Sequence, residues 1–237
     1  NKISIVMKYY KVDNDLNPKV VGSDYPQSWQ FTKDYKKRMN NSDALYALYK
    51  CLINQEHPDF IPDLDGFVLS GRAKLTNFVS AVAVDGMFLD EKAKQVLEAK
   101  CNLGDHEFYE ATLYVRKKPV RFYYLGIFCD FFSQIKFPEC RYAIYGIEKE
   151  EDLPQEWYEM TINNLQDVYT IKRKIPYWVD IQLHKAVLKK TAKEVDLLYY
   201  CVLGIRIGLV TERFKNAVEE AGLTGLVFEP IEVEIEE

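Results

Sequence analysis

The chain has 237 residues, 48% of them hydrophobic and 28% charged, close to the averages of globular proteins and long enough to bury a sizeable core in one domain or two. Its 31 basic and 36 acidic residues leave a net charge of −5, which argues against a nucleic-acid or anionic-membrane surface as the main partner and favours a basic one. No apolar run approaches the roughly 20 residues a bilayer span needs, and 17 Tyr and 13 Phe favour a core that is at least half sheet.

In chain order, Ile3 to Val12 is β-branched and aromatic and predicts a strand, followed by a turn-prone tract through Asn14, Asn17, Pro18 and Gly22. Met7 makes a natural start, so Asn1 to Val6 read as an upstream extension. Lys36 to Arg38 read as a basic loop, after which Ser42 and Asp43 cap a helix with Leu45, Leu48, Tyr49 and Leu52 on one face, ending before His57-Pro58. Pro58, Pro62 and Gly66 interrupt the chain before Asp90, the predicted N-cap of a helix that turns Ala93, Val96, Leu97 and Cys101 inward and is closed by Gly104. Phe108 to Val115 and Val120 to Phe128 flank Arg116, Lys117, Lys118 and Pro119 as a hairpin, aromatic on both faces and hence central.

Phe137 to Ile147 predicts another strand, and the acidic run Glu148 to Asp152 before Pro154 marks a surface loop or subdomain boundary near 148–154. Trp157 to Lys174 has helical character, Tyr177 to Leu183 reads as a short strand, Ala186 to Lys193 is too polar to assign, and Leu197 to Leu209 returns to apolar sheet. The end of the chain is the most legible part. Thr211 is an N-cap, Glu212 puts negative charge in the first turn, and Phe214, Ala217, Val218 and Ala221 form one apolar stripe. Gly222 suits a left-handed C′ position, with Leu223 folding back onto the last turn. In the final strand Ile231, Val233 and Ile235 alternate with glutamates, while Leu226 and Phe228 fall on the opposite parity, which implies a bend or bulge at Glu229-Pro230. The fold class expected is α+β, mostly antiparallel sheet packed with a few amphipathic helices, in a single domain over residues 1–237.

Chemistry-bearing patterns are sparse. Cys51, Cys101, Cys129, Cys140 and Cys201 are odd in number, scattered and free of C-x-x-C spacing, so they read as reduced core thiols in a reducing cytosol. A thiol nucleophile would need Cys129, Cys140 or Cys201 beside His106 or His184, with Asp180 as orienting group, and His57 reads as a loop residue. Asp63, Asp65 and Asp90 lack calcium-loop spacing, and no Gly-rich phosphate cradle exists, so neither metal nor nucleotide cofactor is expected. Arg116, Lys117, Lys118 and Arg121 with Phe122, Tyr123 and Tyr124 mix basic and aromatic residues as a single-strand site does, but a charged hairpin loop beside core aromatics explains them better, because the chain is acidic overall and lacks any recognised RNA or DNA module. Glu229, Glu232, Glu234, Glu236 and Glu237 form a candidate partner-binding face for a basic surface, set against the alternative of an edge strand protected from aggregation by charge.

The stretch GLTGLVFEPI, Gly222 to Ile231, with the preceding helix LVTERFKNAVEEA, resembles the C-terminal signature of a bacterial immunity-protein family found beside polymorphic toxins. LSGRAKLTNFVSA from Leu69 to Ala81, the segment from Phe88 to Val115 and the strand at Tyr123-Tyr124 follow the same family in the same order, with a weaker likeness from Met7 to Pro26. Asn77 stands where the family pattern calls for an acidic residue, the glutamates beyond Pro230 are particular to this chain, and most of Cys129 to Leu198 has no counterpart. The resemblance implies a cytoplasmic bacterial α+β protein without catalytic residues or cofactor that binds and neutralises a cognate protein toxin. The rivals are a hydrolase built on a Cys-His or Asp-His pair and a nucleic-acid-binding adaptor.

Overall fold

The computed structural model describes residues 8–41, 44–81, 86–129, 131–146, 156–160, 162–163, 165–173, 180–202 and 205–236. Its longest regular feature is the predicted hairpin, β6 (His106–Val115) and β7 (Lys118–Ile127), paired residue for residue from His106↔Ile127 to Val115↔Lys118. Alternation puts Phe122 and Tyr124 on one face and Tyr123 and Leu125 on the other, and all four are buried. Both faces therefore carry core, and the hairpin takes the two middle places in a six-stranded sheet. Its other members are β2 (Ser28–Phe31), β3 (Asp65–Leu69), β4 (Phe78–Val79) and β5 (Met87–Leu89), in the order β2-β3-β6-β7-β5-β4. This sheet curls until its two ends meet. Ser28 bridges Ala81, and Gln27 spends its amide on the carbonyl of Lys74 (2.7 Å), the hydroxyl of Thr76 (2.9 Å) and the N–H of Ser80 (3.0 Å). A buried glutamine satisfied on both its donor and acceptor sides is tolerable in an apolar surround and fixes the closure.

The second sheet has seven strands: β1 (Tyr9–Asn14), β8 (Arg141–Gly146), β9 (Glu156–Met160), β10 (Asp180–Leu188), β11 (Leu197–Val202), β12 (Ile205–Thr211) and β13 (Leu226–Ile235), in the order β11-β12-β1-β13-β10-β8-β9. Among the described strand pairs only β10–β13 here and β3–β6 in the other sheet are parallel, besides the Ser28–Ala81 bridge, so the α+β, mostly antiparallel expectation describes the fold.

The helices are α1 (Pro18–Val21), α2 (Lys33–Asn41), α3 (Ala44–Asn54), α4 (Glu91–Lys100), α5 (Phe131–Gln134), α6 (Leu165–Lys172) and α7 (Glu212–Glu220). Three cores result. One lies on one face of the seven-stranded sheet around Tyr9, Leu183, Leu188 and Leu209. A second joins the two sheets, with Leu97 of α4 and Phe214 and Val218 of α7 between Val12 and Val210 on one side and Leu89 and Leu125 on the other. The third fills the curled sheet with Phe67, Phe88, Phe122 and Tyr124 against Leu48 of α3. Each large side chain fully buried there contributes about 1.5–3 kcal/mol relative to exposure.

Several expectations need correction. Lys36 to Arg38 are not a loop but the middle of α2, because Thr32 caps its first turn, accepting from the Tyr35 and Lys36 N–H groups, and Tyr35 buries almost completely. The turn tract through Asn17 and Pro18 contains α1, with Asn17 as N-cap and Pro18 in the first turn. Helix α4 stops at Lys100. Gly104 serves a later turn, at φ 67°, where an added Cβ would lie 2.3 Å from Cys129 Sγ. Phe137 begins a 3-10 turn, Phe137–Glu139, ahead of β8. Trp157 lies on a strand, β9, and helix is confined to α6. The unassigned stretch from Ala186 splits into the end of β10 and a 3-10 turn, Lys190–Glu194. Ser42, Asp43 and the acidic run at 148–152 lie outside the described residues.

The parity flip at Glu229-Pro230 is real, but no bulge produces it: β1 and β13 stay in unbroken register from Tyr9↔Ile231 to Asn14↔Leu226. Instead β13 passes from one core to another on its opposite face. Leu226 and Phe228 pack into the core shared by the two sheets, whereas Ile231, Val233 and Ile235 pack into the core of the other face.

Candidate functional site

Two of the sequence stretches behind the family resemblance, Leu69 to Ala81 and Gly222 to Ile231, meet in space. Thr211 caps α7, accepting from the Phe214 N–H. At the other end the Gly222 N–H reaches the Glu219 carbonyl (3.0 Å) and the Leu223 N–H reaches that of Val218 (3.0 Å), a Schellman ending made possible by Gly222 at φ 62°. That turn delivers Thr224 and Gly225 to the loop before β4. The Phe78 N–H donates to the Thr224 carbonyl (2.9 Å), and the Thr224 N–H and hydroxyl both donate to Asn77 Oδ1 (2.9 and 3.2 Å). Asn77 Nδ2 then donates to Asp90 Oδ2 (2.8 Å), while Asp90 Oδ1 accepts from the Ala93 N–H as the cap of α4. Gly225, at φ 105°, passes so close to the Phe78 backbone that a Cβ would sit 2.0 Å from its carbonyl oxygen. Asn77 is thus an adaptor with an acceptor towards Thr224 and a donor towards Asp90. A carboxylate could fill only the first role.

β13 is fourth in the order of the seven-stranded sheet, and its two halves pair on different sides: Leu226–Ile231, with Glu229, against β1, and Glu232–Ile235 against β10. Glu229 pairs with Lys11 (2.8 Å), Glu232 and Glu234 share Lys185 (3.0 and 2.5 Å), and Glu236 pairs with Lys136 (2.7 Å); Glu237 lies outside the described residues. Hydrogen bonds from Lys185 to Glu234 and Glu232 raise its pKa, and those from Lys136 to Glu236 and Glu139 do the same. The four described glutamates are exposed, and their charge is offset largely by three lysines.

The thiols face backbone. Cys129 accepts from the Asp105 N–H (3.1 Å), and burial pushes its pKa up; Cys140 accepts from the Val187 N–H (3.2 Å) and is likewise raised by burial. His106 Nδ1 is 2.8 Å from the Gly104 carbonyl, and His184 is an exposed residue of β10. The side chains of Cys201 and Asp180 are outside the described set. His57 does more than fill a loop: Nε2 lies 2.8 Å from Asp105 Oδ1, and the ring packs on Phe128 with centroids 4.1 Å apart. Among the described residues no group of three or more His, Cys, Asp or Glu is arranged to hold a metal ion, and no helix is long and apolar enough to cross a membrane.

Beside the hairpin, from its middle towards its turn, a cleft of about 560 Å³ opens between Pro62–Asp65 and β6–β7, lined by Asp63, Asp65, Glu110 and Arg121 among others. Its charges are met locally. Arg38 bonds Asp63 (2.8 Å), and Arg121 bonds Glu110. Burial pushes the Asp63 carboxyl up, but the Arg38 and Asp65 hydrogen bonds together with the Arg38 charge hold it below its ordinary value. Of the basic and aromatic mixture beyond, Phe122, Tyr123 and Tyr124 are core residues with no face free to stack a base, while Arg116, Lys117 and Lys118 are exposed.

Sequence reasoning missed Asp196. It is 2% exposed and accepts from the Asn102 N–H (2.7 Å), the Thr211 hydroxyl (2.5 Å) and Arg213 Nε (2.7 Å), which ties the end of α4 to the start of α7. Burial, and next to it the Asp196 charge, push the nearby Cys101 thiol up to about 12. The local signal, an aspartate before an apolar strand, does not distinguish it from any turn residue. No protein-family model matches the chain, and no curated protein matches it.

Proposed function

We propose that this chain is a non-enzymatic immunity protein that binds and neutralises a cognate bacterial toxin in the cytoplasm. The observation that supports this reading is the contact between two of the stretches on which the resemblance rests: Asn77 and Phe78 are hydrogen-bonded directly to Thr224, across most of the chain. Two chance similarities have no reason to coincide in space, whereas a family signature does when it encodes one structural junction. The junction accounts for Gly222, Thr224 and Gly225 by structure, so the toxin is met by another surface. Such an interface buries about 1,200–2,000 Å² in total around a few aromatic or Arg anchors.

The test is recovery of the tagged chain from native lysate with mass spectrometry of what accompanies it, beside its mass in solution. One toxin-domain polypeptide at stoichiometric amount, whose activity the purified chain abolishes on titration, is the expected result. A chain recovered alone while a candidate toxin is expressed, or a toxin whose activity is unchanged by titration, refutes the proposal.

A further inference from the structure

We propose that the tip of the β6–β7 hairpin, Arg116 to Lys118, is a docking element for an acidic protein surface. The observation is conformational. Arg116 and Lys117 stand at φ 50° and 69°, the left-handed region that L side chains rarely adopt and that two-residue hairpin loops normally give to Asn-Gly or Asp-Gly. Elsewhere this chain meets the same demand with glycine, at Gly22, Gly66, Gly104, Gly222 and Gly225. The other described exception, Gln55, has a use in the fold, since its Nε2 donates to the Cys129 carbonyl at 2.6 Å. Arg116 and Lys117 have no such use: they are exposed and make no ion pair or hydrogen bond among the described residues. The turn demands this backbone to close the hairpin, but Asn-Gly would meet the demand without strain, and keeping Arg-Lys there points to function.

The stem makes the tip a rigid one, with Ala111, Leu113 and Phe122 buried below it. Three consecutive cations fit an anionic partner. A nucleic-acid single strand would also need stacking faces, and the adjacent Phe122, Tyr123 and Tyr124 are buried, so the charge complementarity favours carboxylates on a protein. This inference stands independently of the toxin reading.

The test compares the intact chain with the Arg116→Asn/Lys117→Gly double variant and with Lys118→Gln, which keeps the turn and removes charge alone. The probe is a labelled deca-glutamate peptide, followed by fluorescence anisotropy at low and high salt. The expected result is salt-sensitive binding, weakened roughly tenfold in the double variant and several-fold in Lys118→Gln. The double variant should also melt about 5 °C higher, because the turn strain is relieved. The proposal is overturned by no binding of deca-glutamate at low salt or by equal binding in both variants. Tighter binding of a thymidine oligonucleotide or of anionic vesicles, or a double variant no more stable than the parent, would overturn it as well.

Discussion

Replacing Asn77 with aspartate puts the adaptor role of this residue to the test, because the change keeps its shape and its acceptor towards Thr224 but sets a second carboxylate against Asp90. The two groups are 2.8 Å apart. At that distance unit charges repel by about 1.5 kcal/mol in a water-like dielectric and about 6 kcal/mol at an effective ε of about 20. The site is half-buried and the side chains can separate slightly, so a loss of roughly 2–4 kcal/mol at neutral pH is expected once the missing hydrogen bond, worth about 1 kcal/mol, is included. For a chain of this size that lowers Tm by roughly 5–15 °C.

The loss has a pH signature. The like-charge pair raises one carboxyl pKa in the folded variant above its unfolded value of about 3.9. Above that value the unfolded chain has released a proton that the folded one retains, so stability falls as pH rises towards the folded pKa and stays low beyond it. Near pH 3 the protonated carboxyl can donate to its neighbour and most of the loss disappears. Asn77→Ala, which removes both roles without adding charge, should cost about 1–3 kcal/mol at either pH. Urea melts of the three proteins at both pH values decide the matter. An Asn77→Asp protein as stable as Asn77→Ala at neutral pH, or equally destabilised in acid, would refute the account.

Gly225→Ala should prevent the junction from closing and cost more than 3 kcal/mol, since a Cβ 2.0 Å from a backbone oxygen cannot be relieved by a side-chain shift. Gly222→Ala, with open space around it, should cost only about 1 kcal/mol, and denaturant midpoints separate the two. Asp196→Ala leaves the Asn102 N–H and the buried Thr211 hydroxyl without their acceptor and should lose about 2–4 kcal/mol, measured by calorimetry. Tyr123→Phe removes the phenol that hydrogen-bonds Glu91, whose pKa is held down first by that bond and then by Gln95, Lys94 and Arg121 against burial. Wild-type stability from this contact is present above the ordinary glutamate range and lost as pH falls through the lowered folded pKa. An NMR titration of the variant should find the Glu91 pKa moved up, and an unmoved value would discard the assignment.

What the sequence made legible was local. The cap, stripe and stop of α7 lie within a dozen residues and depend on nothing beyond them; the β6–β7 hairpin was legible too, although Lys118 and Pro119 belong to β7 and its turn is Arg116-Lys117 alone. Helix α2 was missed because its amphipathic signal reduces to Tyr35 in a run of lysines, and Tyr35 counts only once its hydroxyl finds the Asp63 carbonyl. β9 is too short for alternation to identify. In β13 the alternation was visible and its cause was not, since a parity flip looks the same for a bulge and for a strand that changes the core it faces. Asn77 and Asp196 acquire their roles from partners more than ninety residues away in sequence, Thr224 and Asn102, and no short-range pattern marks them.

The charge arrangement on β13 limits what the glutamates can contribute to a partner. A basic surface reaching Glu229, Glu232, Glu234 and Glu236 must compete with Lys11, Lys185 and Lys136, which already hold them. Exchanging one exposed ion pair for another is worth about 0–1 kcal/mol and falls with salt. Four such exchanges set approach rate and selectivity, while tight binding requires apolar anchors that lose water. Among the described residues the large exposed apolar side chains include Tyr25, Trp29, Ile61 and Leu16, and on β13 itself Val227, two residues before Glu229. Charge reversal along β13 should therefore slow association more than it shortens the lifetime of a complex, whereas loss of an aromatic anchor such as Trp29, if it lies in the contact, should do the opposite.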